Sequence, residues 1–171
     1  ELIPQLVQAD GLVVRTYTRV DAKLLERAPR LKVVGRAGVG LERIDLEACG
    51  RRGITVVYTP EANTQAVTEY VLGLMLDGLR PRHTLTGPVD AQTFHELRKQ
   101  LGAQLDSLTL GILGFGRIGQ RLGRIAHAIG MPLLVNDLLL EAELRQVVDY
   151  PFTFVDKPTL FRESDVLSVH V

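Results

Sequence analysis

Tryptophan is absent from this chain of 171 residues, aromatic residues make up 5 %, and there is one cysteine, Cys49. A lone cysteine rules out an internal disulfide, and Cys49 lies in a helical pattern where a buried structural thiol is expected. Formal net charge is zero, so nothing in the charge balance favours binding to nucleic acid or to a membrane surface. No apolar run approaches the roughly 20 residues that span a bilayer, and the first residues do not read as a signal peptide. No cluster of side chains has metal-ligand spacing. What is present is a hydrophobic content of 46 %, typical of a core-forming protein. A cytoplasmic protein without a metal site is expected.

The most informative stretch is Leu108-Thr-Leu-Gly-Ile-Leu-Gly-Phe-Gly-Arg-Ile-Gly119. It reads as an apolar strand, a glycine-rich turn and the first turn of a helix, the phosphate-binding opening of a dinucleotide fold. Gly114 permits the tight turn, Gly116 lets the backbone approach a pyrophosphate, and Gly119 lets the helix pack closely on the sheet. The helix N-terminus offers N–H groups and a partial positive charge. Apolar residues at Ile118, Leu122, Ile125, Ala126 and Ile129 keep helical spacing as far as Gly130, which suits a C-terminal cap. Pro132 to Asn136 reads as a short buried strand, and Asp137 follows it, 18 residues past Gly119. An acid at about that distance holds the ribose hydroxyls of NAD and would repel the 2′-phosphate of NADP. NAD is the expected cofactor.

Short apolar strands alternate with helical stretches along the whole chain, the pattern of an α/β fold with parallel sheets. Strands are expected at 11–17, 31–35 and 54–58, with helices at 21–28 and 41–52. A long helix is expected from Asn63 to about Leu79; it is apolar on more than one face and is expected to be buried between units. Arg80-Pro81-Arg82 ends it, and a further helix is expected over 91–101. The expected organisation is a partial substrate domain at 1–62, a connecting helix and linker at 63–86, and a partial dinucleotide domain at 87–171. Both α/β units look cut, so an internal fragment of a longer protein is expected.

Three segments carry a resemblance. Gly35-Arg-Ala-Gly-Val-Gly-Leu-Glu-Arg-Ile-Asp-Leu-Glu-Ala48, Thr59-Pro-Glu-Ala-Asn-Thr-Gln-Ala-Val-Thr-Glu69 and Leu110-Gly-Ile-Leu-Gly-Phe-Gly-Arg-Ile-Gly119 resemble, in order and spacing, the D-isomer-specific 2-hydroxyacid dehydrogenases. The likeness runs from about Ala9 to Val171. It implies Rossmann-type parallel sheets: a partial flavodoxin-like substrate domain and a partial NAD-binding domain. The branch it resembles most acts on D-3-phosphoglycerate.

The resemblance implies several residue roles. Arg15 and Arg36 match substrate-binding arginines, and each follows an apolar strand, where ligands of open α/β sheets bind. Two guanidiniums there suit a carboxylate or a phosphate; the alternative is two solvated strand-end charges. Ala37, Gly38 and Val39 match the loop whose backbone N–H groups meet the substrate carboxylate, and Val39 also lies beside the nicotinamide. Asn63 matches a residue facing the same cleft, or else caps the long helix. Phe115, Arg117 and Ile118 join Gly114, Gly116, Gly119 and Asp137 as cofactor-binding positions, and His170 matches the strand leading to the adenine side.

The chain also departs from the family pattern. Glu42-Arg43 stands where relatives usually carry Asp-Asn, and Phe94 stands in for a tryptophan. The family's catalytic Arg, acid and His are expected beyond Val171, so no catalytic residue is expected here and the fragment alone should be inactive. His83, His95, His127 and His170 are poor substitutes for a proton shuttle. Two other readings stay open: a reductase of a different small acid, such as glyoxylate, hydroxypyruvate or lactate, and an NAD-sensing transcriptional corepressor. A homodimer is expected.

Overall fold

A computed structural model describes residues 3–80, 85–99 and 102–171. His83, the turn expected at Pro81 and Arg82, and Leu101 lie outside the described residues. Cα proximity divides the chain into two units, Glu1–Asn63 and Thr64–Val171.

The first unit holds α1 (Ile3–Leu6), β1 (Gly11–Val14), α2 (Ala22–Glu26), β2 (Val33–Arg36), α3 (Leu46–Arg51) and β3 (Thr55–Tyr58). The strands form a parallel sheet in the order β1-β2-β3, with Val14 opposite Arg36 and Arg36 opposite Tyr58. Its two longer helices start at an aspartate whose side chain accepts a first-turn N–H: Asp21 from Leu24 and Asp45 from Ala48. That cap is why α3 starts at Leu46 and not at Leu41. The residues before it are drawn into a bridge between Val20 and Ile44. Val14, Val34, Leu25, Ala48, Cys49 and Ile54 form the core, and the Cys49 thiol is buried. The strand sequences are apolar at consecutive positions, as in sheets covered on both faces. Here one face is covered, while Val13 (77 % exposed) and Val57 (49 %) lie on the other.

The second unit begins with α4 (Thr64–Leu79), followed by α5 (Ala91–Arg98), β4 (Leu110–Leu113), α6 (Arg117–Ala128), β5 (Leu133–Asn136), α7 (Glu141–Val147), β6 (Thr153–Phe154), α8 (Lys157–Glu163) and β7 (Val166–Val169). All four strands are parallel, in the order β6-β5-β4-β7. The connections from β4 to β5 and on to β6 step one way across the sheet; the connection from β6 to β7 steps back over it. Right-handed crossovers therefore place α6 and α8 on opposite faces. This explains why Leu110, Gly111 and Ile112 of the central strand are all buried. The strand order reverses between β4 and β7, and ligands of open α/β sheets bind at the carboxyl ends beside such a reversal.

Two helices of this unit differ from the sequence reading in which residues they bury. In α4 only Thr68 and Met75 are buried. Val71 and Leu79 pack on the core with Met75, whereas Tyr70 (67 % exposed) and Leu74 (54 %) face outward. In α6 the buried stripe is Gly119, Leu122, Gly123 and Ala126. A scan for large apolar residues passes over such a stripe, because glycine contributes no side chain. Small residues there let the helix approach its neighbours closely.

Gly119 has the least room of these. A Cβ on it would overlap the Gly114 carbonyl oxygen and come within 3.1 Å of Ile112. Backbone cannot yield as a flexible side chain can. Gly119→Ala is expected to lower stability by about 2 kcal/mol. Gly116→Ala, with nothing within 4 Å, should cost under about 1 kcal/mol. Urea unfolding of both variants checks the order; equal midpoints would contradict this account of the packing.

Candidate functional site

The residues singled out from the sequence lie at or past the carboxyl ends of the strands, those of β1, β2 and β3 in the first unit and of β4, β5 and β7 in the second. In the second unit the chain leaves β4 through Gly114 at φ +89°, a left-handed conformation suited to glycine. A Cβ there would lie 2.5 Å from the His170 carbonyl oxygen. Gly114 and His170 thus meet at the point where the strand order reverses, and the His170 N–H donates to the Leu113 carbonyl at 2.7 Å.

The next peptide is held from two sides. The Phe115 N–H donates to the Asp137 carboxylate. The Phe115 carbonyl accepts from the Gln120 side-chain amide at 2.8 Å. Asp137 stands just past β5, and its second oxygen accepts the Leu139 N–H at 2.9 Å. A carboxylate has about four acceptor positions, so two more remain. The Phe115 ring is wholly buried between Tyr150 and Phe152, which anchors the loop from below. Tyr150 also donates its hydroxyl to the Gln120 carbonyl at 2.6 Å, and burial pushes that hydroxyl up to about 12. Gly116 occupies the cap position of α6 and provides no side-chain cap. The space beside it is open. Arg117 is exposed and Ile118 half-buried. Across the reversal, His170 Nε2 lies 2.8 Å from the buried Ser168 hydroxyl, and burial holds the imidazole below its usual range.

In the first unit the loop from Ala37 to Gly40 follows β2. The carbonyls of Ala37, Gly38 and Gly40 accept from donors of the same unit. Arg36 Nε donates to the Gly40 carbonyl at 3.0 Å and another Arg36 nitrogen to the Ala37 carbonyl. The Thr59 N–H donates to the Gly38 carbonyl at 3.2 Å. The Gly38 N–H donates to Thr59 Oγ1 at 2.9 Å and to the Arg36 carbonyl at 2.9 Å. The N–H groups of Val39 and Gly40 have no acceptor among the described residues. This leaves the Val39 and Gly40 N–H groups as backbone donors, the kind of group that meets an anion, with the Glu42 carboxylate standing against Gly40.

Arg15 stands one residue past β1, exposed, and its guanidinium has no partner among the described residues. Arg36 is different, since three of its contacts go to its own surroundings, the third being Thr16 Oγ1 at 3.5 Å. Arg36, Ala37, Gly38 and Val39 are therefore one connected piece. Asn63 is exposed just before α4 and forms no hydrogen bond with a described residue. His95 is exposed on α5, and His127 stacks on Tyr150. Sequence reasoning passed over Thr59, Gln120, Tyr150 and Ser168. Thr59 lay inside a recognised motif and Gln120 directly after the glycine turn. Nothing in local spacing marks Tyr150.

Comparison with known proteins agrees with this geometry. The family described as "D-isomer specific 2-hydroxyacid dehydrogenase, catalytic domain" matches residues 1–163. A hydroxypyruvate reductase of Thermotoga maritima is 38 % identical over all of this chain and 54 % of its own length. A D-3-phosphoglycerate dehydrogenase of Synechocystis sp. is 35 % identical over all of this chain and 30 % of its own. Among solved structures, the D-lactate dehydrogenase of Aquifex aeolicus, complexed with NAD and lactic acid, superposes with a TM-score of 0.74 at 29 % identity. That superposition covers 99 % of this chain and 50 % of the other. The chain thus spans about half, or less, of the length of these relatives.

The His170 geometry sets a pH dependence. A depressed imidazole means that the unfolded chain binds the proton more readily. The stabilising contribution is complete above pH 6.5, the ordinary histidine value, and is lost as pH falls through the folded value. NMR titration should place His170 below 6.5. His170→Gln should flatten the acid side of the stability profile; a titration at or above 6.5 would contradict the burial argument.

Proposed function

The chain belongs to the D-isomer specific 2-hydroxyacid dehydrogenase family, and from that premise we propose that it forms the NAD-binding and substrate-anion loops of an enzyme that oxidises or reduces a small 2-hydroxy acid. The single observation that carries this reading is the glycine turn at the strand reversal, with the Phe115 peptide fixed between Asp137 and Gln120. NAD supplies the hydride acceptor or donor for the carbon bearing the substrate hydroxyl. The residues present fit the cofactor. Open space lies beside Gly116, where a side chain would otherwise stand, and no side chain caps α6.

In this reading Gly114, Phe115, Gly116, Arg117, Ile118 and Gly119 receive the pyrophosphate. Asp137 takes the ribose hydroxyls with its remaining acceptor positions, and His170 lies toward the adenine side. The loop from Ala37 through Gly38 and Val39 to Gly40 takes the substrate carboxylate, and Asn63 faces the same cleft. Proton transfer requires an acid/base side chain, which this reading places in the remaining length of the protein. The chain alone is then expected to bind NAD without turnover.

For the substrate we propose D-3-phosphoglycerate, with Arg15 reading the phosphate. The support is its unengaged guanidinium; Arg36 is largely committed to its own loop. Hydroxypyruvate is the second reading, favoured by the name of the Thermotoga relative. A homodimer formed through the outward face of α4 fits the exposure of Tyr70 and Leu74. A cytoplasmic location fits a single, reduced and buried thiol.

Two measurements test these proposals. Gly116→Ala is expected to weaken NAD binding about tenfold or more while the fold persists, since a methyl group would enter the pyrophosphate space; calorimetric titration decides it. In the full protein, Arg15→Ala is expected to raise KM for 3-phosphoglycerate about tenfold, the worth of one charge-assisted contact. KM for hydroxypyruvate should stay within about twofold. Equal losses on both acids would transfer the assignment to hydroxypyruvate, and no turnover of any 2-hydroxy or 2-oxo acid would refute the enzyme reading.

A further inference from the structure

The anion loop of the first unit is built around a flexible residue. Gly38 sits at φ +145°, a conformation that side-chain-bearing residues rarely adopt. A backbone free to leave that state would scatter the N–H groups that follow it, and an anion would have to order them on binding. Something must therefore hold Gly38 in place. Arg36 binds the carbonyls on either side of it, at Ala37 and Gly40, and its guanidinium packs against Gly38, but its side chain makes no hydrogen bond with Gly38 itself.

Thr59 does. Its N–H donates to the Gly38 carbonyl and its hydroxyl oxygen accepts from the Gly38 N–H, which is shared with the Arg36 carbonyl, so Thr59 reaches both polar groups of the glycine. Thr59 can do this because of where it stands. Arg36 is in register with Tyr58, so the residue after Tyr58 falls opposite the start of the loop. Pro60 follows, and the residue before a proline is confined to extended backbone. The parallel ladder between β2 and β3 is in effect carried one step past its last regular pair, with a side chain providing the acceptor.

We propose that Thr59 is the positioning residue of the substrate-anion loop: it engages the Gly38 N–H so that the Val39 and Gly40 N–H groups are the pair left to receive a carboxylate. This rests on the dehydrogenase reading above. Thr59 does not touch the substrate; it acts through Gly38. The donors it organises are met equally by the acid and by its transition state, so its loss raises KM more than it lowers kcat.

The test compares Thr59→Val, which keeps the shape and loses the acceptor, with Thr59→Ser, which keeps the hydroxyl. Both are made in the full protein, and the Thr59 N–H contact survives in each. Hydrogen exchange at Gly38 and steady-state kinetics with hydroxypyruvate and 3-phosphoglycerate are the readouts. Thr59→Val is expected to speed Gly38 exchange and raise KM about fivefold each, the worth of one hydrogen bond. Its kcat should stay within about twofold, and Thr59→Ser should behave as the unaltered protein. The proposal is overturned if Thr59→Val leaves either exchange or KM unchanged, or if Thr59→Ser is impaired as much as Thr59→Val. A protein that turns over neither acid refutes the dehydrogenase reading instead; Gly38 exchange in the two variants then decides whether Thr59 holds the loop.

Discussion

Backbone meets backbone at the carboxyl end of β4, and the second unit depends on that contact. The Gly114 carbonyl lies where a Cβ on Gly119 would be, and the His170 carbonyl lies against Gly114. No residue with a side chain satisfies both approaches. Once the chain is pinched there, α6 must start directly above the central strand, with its first turn beside the reversal of strand order. The buried Phe115 ring and the engaged Phe115 peptide then hold the pinch from inside the core. The same contact that closes the packing opens the site, because the one glycine not needed for it, Gly116, faces open space.

The first unit solves a similar problem with different means. Its loop has no helix behind it, and the carbonyls of Ala37, Gly38 and Gly40 are satisfied one by one, by the Arg36 guanidinium and by the Thr59 N–H. Both loops leave backbone donors without an acceptor among the described residues. That common result is what an anionic ligand requires, and it is reached without any cluster of basic side chains. A chain with no net charge can still bind anions when the donors are peptide groups in fixed positions.

Arg36 illustrates how a matched position can change its physical role. Motif comparison alone gives two equivalent arginines at the ends of two strands. In the fold they are not equivalent: Arg15 has no partner among the described residues, and Arg36 is a strut of the loop beside it. A guanidinium has five N–H donors, so a strut can still offer one to a ligand. Its geometry, however, is set by the loop and not by the substrate.

The sequence by itself determined the parallel α/β class, the glycine turn, and the acid that follows β5. It could do so because each depends on residues adjacent along the chain or on a regular period. Tight turns need glycine locally, and an aspartate cap marks a helix start locally, as at Asp21, although the sequence reading places Asp45, also a cap, inside a helix begun at Leu41. Only the tertiary structure decided which apolar residues of α4 and α6 are buried, that Gln120 and Tyr150 support the Phe115 peptide, and that Thr59 holds Gly38. Tyr150 follows Gln120 by 30 residues and Thr59 follows Gly38 by 21. Partners that far apart are chosen by strand register and helix packing, which no local pattern encodes.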